Sequence, residues 1–148
     1  MKTQRGFSLL EVLITMLVVS FGLLGIAGII VTALKNNQSS YARSQASLMV
    51  NDIVDRMRAN RSSAEASPSP YNLAISATPA GADIAGTDLT EWRAALASNL
   101  PSGTGAVAMD DATKKVTVTV QWNDAHATAD AAHGVGLSTQ QVALETRL

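Results

Sequence analysis

Residues able to do chemistry fall in three places along this chain of 148 residues. Near the start, Gly6 and Phe7 follow the basic residues Lys2 and Arg5, and Glu11 comes five positions after Gly6. In mid-chain, Arg56, Arg58 and Arg61 form a basic cluster, and further on Asp124, His126, Asp130 and His133 share one Gly/Ala-rich stretch. An ionisable group such as Glu11, set at the edge of an apolar run, is costly unless it sits at an interface or is paired. The Asp/His group has metal-ligating residue types, but its spacing matches neither a zinc helix nor an EF-hand loop. Its histidines are candidate bases, yet no serine or cysteine stands as their evident nucleophilic partner. Gly103-Thr104-Gly105 reads as a turn, not a phosphate loop. The sequence therefore predicts no catalytic residue, no cofactor and no metal site, and the chain reads as a structural protein.

The elements that must carry these residues begin with one apolar segment. The chain is 47% hydrophobic and 16% charged, and the excess lies in the first quarter. Val12 through Leu34 are 23 residues without a charge, and about 20 apolar residues cross a bilayer core as a helix. Lys2 and Arg5 ahead of it predict a cytoplasmic N-terminus under the positive-inside bias. A secretory signal has a shorter apolar core and a small-residue cleavage site after it, and neither is found here. A formal net charge of -1 gives no global basic field to hold nucleic acid through counterion release, and none is expected as a partner. There is no cysteine, which excludes a disulfide framework and a thiolate zinc site.

The contiguous run Arg5-Gly6-Phe7-Ser8-Leu9-Leu10-Glu11, leading directly into the apolar segment, resembles the class III signal of type IV prepilins and type II secretion pseudopilins. The resemblance implies that a prepilin peptidase cuts between Gly6 and Phe7 and methylates the new Phe7 amine. A small residue at position 6 suits an extended backbone entering that enzyme. It further implies that Glu11 pairs with the Phe7 amine of a neighbouring subunit in a filament, in the low dielectric between packed helices. A second set of stretches, Leu23 to Gly28, Asn36 to Ser39 and Asp55 to Arg61, resembles the PilV-like minor pilins. Those pilins often carry a cysteine pair in the head, which this chain lacks. The implied partners are prepilin peptidase, other minor and major pilins, the inner-membrane pilus assembly platform and, before assembly, the lipid bilayer. The implied location is the inner membrane, single pass with the head in the periplasm, and later an extracellular pilus. Two alternatives stay open: a minor pseudopilin of type II secretion, and a membrane-anchored periplasmic metal-binding or enzymatic domain using the Asp/His stretch.

The rest of the chain fits an α+β lollipop, a long N-terminal helix packed on a small antiparallel sheet. No proline or glycine interrupts 35–61, so one helix is expected from Ser8 to Arg61. Tyr41, Leu48, Met49, Ile53 and Met57, with Ala42, Ala46, Val50 and Val54 beside them, predict its buried stripe. Asp52 and Arg56 stand at i,i+4. The arginine cluster suits the negative pole of this helix, as a solvated end or as a patch for an anionic partner. Gly22, Gly25 and Gly28 lower helix preference by about 1 kcal/mol each relative to alanine, and read as close packing or as a section that bends on assembly. Residues 62–87, with Pro68, Pro70, Pro79 and Gly81, read as loop. Asp88 to Glu91 has capping-box spacing, with Leu89, Trp92 and Leu96 facing a core and Leu100-Pro101 ending the helix. Val116, Val118, Val120 and Trp122 alternate as a strand, paired with 105–109 across the Asp110 to Thr113 turn, and Val142, Leu144, Thr146 and Leu148 predict a third. The expected division is a leader at 1–6, an apolar helix at 7–34, its amphipathic continuation at 35–62 and a head at 63–148.

Overall fold

A computed structural model describes residues 8–127 and 136–148 of the chain. Helix α1 runs from Leu9 to Ala59, 51 residues, or about 75 Å at 1.5 Å per residue. Its start is set by Ser8, whose Oγ accepts from the Leu10 amide at 3.3 Å. Its last residue is Ala59, two residues short of the expected Arg61, with Asn60 as its C-cap, and a single turn, α2 (Arg61–Ala64), follows after it.

Burial divides α1 sharply. Every residue from Ser8 to Gln38 is exposed, and burial begins at Ser39. Above that point the helix buries Ser39, Ala42, Ala46, Val50, Ile53, Val54 and Met57. The expected stripe is corrected here: Tyr41 and Leu48 face outward, 64% and 58% exposed. The face that meets the head begins with the small residues Ser39, Ala42 and Ala46 and continues with Val50, Ile53, Val54 and Met57.

Helix α3 spans Ile84–Asn99, and its N-cap is Asp83, whose Oδ1 accepts from the Gly86 amide at 2.9 Å. The expected cap at Asp88 is therefore displaced by five residues; Asp88 lies inside the helix and has another use. The earlier start is permitted by Gly86, where any Cβ would run into the backbone of Gly81. The expected ending at Leu100 and the expected inward face of Leu89, Trp92 and Leu96 are both observed. Trp92 is fully buried, and its indole N–H donates to the Met49 carbonyl at 2.8 Å, which ties α3 to α1.

The sheet has strands β1 (Thr104–Asp110), β2 (Lys115–Trp122) and β3 (Gln140–Arg147) in the antiparallel order β1-β2-β3. Val116, Val118, Val120 and Trp122 point into the core, as their alternation requires. On β1 the inward residue beside the Trp92 ring is Gly105, and a methyl there would strike that ring. The outer edge of β1 is covered by Leu73, which exchanges backbone hydrogen bonds with Val107 at 2.8 and 2.9 Å. The result is the pilin-like α+β lollipop: a bare helical stem and a small head packed on the stem's outer half.

Candidate functional site

The candidate site lies at the start of the stem. Ser8 turns the backbone from extended geometry into the helix, and its carbonyl accepts from the amides of Glu11 and Val12 at 3.1 and 3.2 Å. Glu11 thus sits in the first turn, beside the positive pole of α1, where a carboxylate is favoured. It is exposed and has no ion-pair or hydrogen-bond partner among the described residues. Gly6 and Phe7, the expected cleavage and methylation positions, lie outside the described residues.

The hydroxyls of the apolar span, Leu9 to Leu34, are all closed on the helix itself. Thr15 Oγ1 donates to the Val12 carbonyl at 2.8 Å, Ser20 Oγ to Met16 at 2.7 Å and Thr32 Oγ1 to Gly28 at 3.1 Å. Such back-bonding is how hydroxyls are carried on an apolar helix. Between Leu9 and Leu34, Glu11 is the only side chain with hydrogen-bonding capacity left wholly unmet among the described residues. Gly22, Gly25 and Gly28 lie in unbroken helix, and a Cβ on any of them would meet nothing. They leave a smooth strip on one part of the stem.

Residues 1–33 match the family model of the prokaryotic N-terminal methylation motif. The N-terminus is of the prepilin type. No curated protein and no solved structure matches the chain. The prepilin-type segment coincides with the exposed part of α1: the match ends at residue 33, and the stem is bare up to Gln38. The stem is also long and apolar enough to cross a membrane, with a window of mean hydropathy 2.5 and none of it buried by the head. A prepilin-type signal on one apolar N-terminal helix fits a single-pass inner-membrane anchor.

The other groups singled out in the sequence are engaged within the head. Arg56 is a hub: its guanidinium contacts Glu91 at 2.8 Å, Asp52 at 3.2 Å and Asp88 at 3.3 Å. The Glu91 bond, more than the other two, holds its pKa above the ordinary arginine value against the cost of burial. Arg58 pairs with Asp55 at 3.0 Å and Arg61 with Glu65 at 2.6 Å. The cluster therefore satisfies its own acids and offers no free basic patch. Asp88 Oδ2 also accepts from the Tyr71 hydroxyl at 2.6 Å. Burial, and then Asp88, push the Tyr71 phenol up to about 12.

In the Asp/His stretch, Asp124 is buried and its Oδ2 accepts from Ser39 Oγ at 2.6 Å, while His126 is exposed. Asp130 and His133 lie outside the described residues. Asp124 is thus a clasp between the loop and the stem at the point where burial begins. Sequence reasoning missed Ser39, because a serine on a helix carries no signal of burial. It also missed Arg93, which donates to the carbonyls of Ala74, Ile75 and Ala77 at 2.9–3.0 Å and to Thr104 Oγ1. That one side chain fastens the long connection before α3, and nothing in its neighbours announces it.

Proposed function

We propose that the chain is a minor subunit of a type IV pilus, of the PilV-like kind. In this reading a prepilin peptidase removes residues 1–6 by cutting between Gly6 and Phe7, and methylates Phe7. The subunit waits in the inner membrane with its head in the periplasm, supported by the basic residues ahead of the span. The assembly platform then moves it into a filament among other minor and major pilins, where Glu11 meets the Phe7 amine of a neighbour.

The observation that carries this reading is the coincidence of a prepilin-type segment with an apolar span, Leu9 to Leu34, whose only unmet side-chain polar group among the described residues is Glu11. A carboxylate carried on an apolar helix with no internal partner needs one from outside the chain. A new amino terminus four residues away on an identical or related stem has the right charge and the right height. The pilus is preferred to a secretion pseudopilus on the likeness of 36–39 and 55–61 to PilV-like pilins. The expected division of the chain, with the apolar helix to residue 34 and its continuation to 62, is supported by the onset of burial at Ser39.

The test is the intact mass of the chain recovered from sheared filaments. The reading requires a chain that begins at a methylated Phe7. A chain found in filaments with residues 1–6 still attached would overturn it. Recovery from a secretion filament and not from a pilus would decide for the pseudopilin alternative.

A further inference from the structure

The two edges of the sheet are finished differently, and the ladder shows how. On β1, Val107 exchanges both its backbone hydrogen bonds with Leu73, and the Met109 amide donates to Asn72 Oδ1 at 2.7 Å. The backbone groups of Val107 and Met109 therefore point away from β2, and those of Ala106 and Ala108 point toward it. Ala106 stands opposite Thr119 and Ala108 opposite Thr117. Backbone groups alternate in direction along an antiparallel strand, so Val116, Val118, Val120 and Trp122 turn theirs toward β3. Their partners there are Thr146, Leu144, Val142 and Gln140. It follows that Gln141, Ala143 and Glu145 present their N–H and C=O groups outward, and none of these has a hydrogen-bond partner among the described residues.

This edge carries none of the devices that usually close one. Its 8 residues contain no proline, and their register is unbroken by a bulge. The inward residues Gln140, Val142, Leu144 and Thr146 bear no charge. Both charged side chains are drawn back over the sheet: Glu145 pairs with Lys115, and Arg147 Nε donates to the Thr113 carbonyl at 3.1 Å. The core is also unfinished on this side. Val142 and Leu144 are only half-buried, whereas Val107 and Met109 on the closed β1 side are 2% and 8% exposed.

A row of alternating donors and acceptors at strand spacing is matched in series only by another extended backbone. A second copy of the chain does not fit. Pairing β3 with its own copy while keeping one inner face needs a twofold axis perpendicular to the sheet. That rotation reverses α1, which packs along the inner face, yet two stems in one membrane point the same way. A head-to-tail contact would bring β3 against the β1 edge of the next head, which Leu73 and Asn72 already occupy. We propose that the open edge of β3 takes an extended segment of a different protein as a fourth strand. The segment runs the length of Gln141 to Arg147, with apolar side chains at alternate positions that cover Val142 and Leu144. Only the exclusion of a second copy rests on the single-pass reading; the edge itself does not.

The probe is a peptide with the β2 sequence, 115–122, which already pairs with β3 on its other side. Amide exchange of the isotope-labelled full-length chain in detergent micelles is followed residue by residue, with and without millimolar peptide. The expected result is several-fold slower exchange at Gln141, Ala143 and Glu145, with Val142 and Leu144 unchanged because their N–H groups already bond β2. The same peptide N-methylated at every amide should protect nothing. Ala143→Pro should abolish the effect and leave thermal unfolding close to wild type, since proline is accepted where the N–H faces away from the ladder. Absence of protection overturns the proposal, as does equal protection by the N-methylated peptide. Protection in the peptide-free chain also overturns it, assigning the edge to a second copy if it is lost on dilution and to the chain itself if it is not. A chain that stays dispersed without detergent would instead sink the single-pass reading and leave the peptide result standing.

Discussion

Replacing Glu11 with alanine removes the one polar side chain between Leu9 and Leu34 that has no partner among the described residues, and the consequence can be worked out before and after assembly. In the membrane the substitution takes away an unpaired carboxylate, so insertion is not impaired and is modestly favoured. In the proposed filament it leaves the Phe7 amine of a neighbour buried without its counter-ion. At an effective dielectric of about 20, two unit charges 4 Å apart attract by about 4 kcal/mol, and breaking a buried pair costs about 3–5 kcal/mol. Each 1.4 kcal/mol is tenfold, so retention in the filament should fall by about two to three orders of magnitude relative to wild type. Glu11→Gln separates charge from shape: it keeps the side-chain volume and one acceptor but should lose most of the same retention. The assay is the ratio of subunit in sheared filaments to subunit in membranes, with the N-terminus checked by mass spectrometry so that only processed chains are compared. If Glu11→Ala chains are cut, inserted and present in filaments at the wild-type ratio, the pairing role is refuted. If Glu11→Gln behaves as wild type while Glu11→Ala does not, the side chain matters for packing and not for charge.

Gly6→Val should block removal of residues 1–6, seen as an unshifted intact mass of the membrane-bound chain, because a branched side chain is placed where the backbone must lie open to the peptidase. Gly105→Ala should lower head stability by about 1–3 kcal/mol, read from thermal or denaturant unfolding, since the added methyl meets the Trp92 ring; a variant as stable as wild type would mean that α3 can shift without loss. Tyr71 bears on pH. Burial, and then Asp88, raise its pKa in the folded chain to about 12, above the ordinary tyrosine value of 10.0, so the folded state holds a proton that the unfolded state gives up. The associated stability is fully present below pH 10, falls as pH rises, and is lost once pH has passed about 12. Tyr71→Phe should flatten that alkaline decline, which unfolding curves taken across this window will show.

The sheet was legible because Val116 to Trp122 alternates with polar residues of high strand preference and the register of β1 follows from one tight turn; β3, joined through 123–139, shows its alternation but not its register. The stem was legible for a different reason: length and lack of charge, not periodicity, define it. On the outer half of α1 size does not decide burial: the large Tyr41 and Leu48 are exposed while Ser39, Ala42 and Ala46 are buried, and which face meets the head is a property of three dimensions. The start of α3 was misjudged for a similar reason. Two aspartates five positions apart can each cap a helix, and only the contact between Gly81 and Gly86 decides for Asp83. Of the site, Glu11 was evident from its place in the motif; that no other side chain of the apolar span competes with it became clear only from the back-bonded hydroxyls of Thr15, Ser20 and Thr32.

One helix here does two unrelated jobs, and the boundary between them is physical. Up to Gln38 no residue of α1 is buried by the described residues of the head, so in the proposed role the stem's sequence answers to lipid, to the processing enzyme and to neighbouring stems. From Ser39 on the same helix is a wall of the head's core, answerable to Trp92 and the valines of β2. The distance from Glu11 to Ser39 is roughly 40 Å along the axis, far beyond the 7–10 Å within which substitutions usually couple. Head and stem can therefore change independently, which suits a subunit that shares its stem chemistry with its neighbours in a filament while presenting a head of its own. The Ser39–Asp124 clasp marks the joint: it holds the loop after β2 against the helix at the first buried turn, and fixes how high above the membrane the head begins.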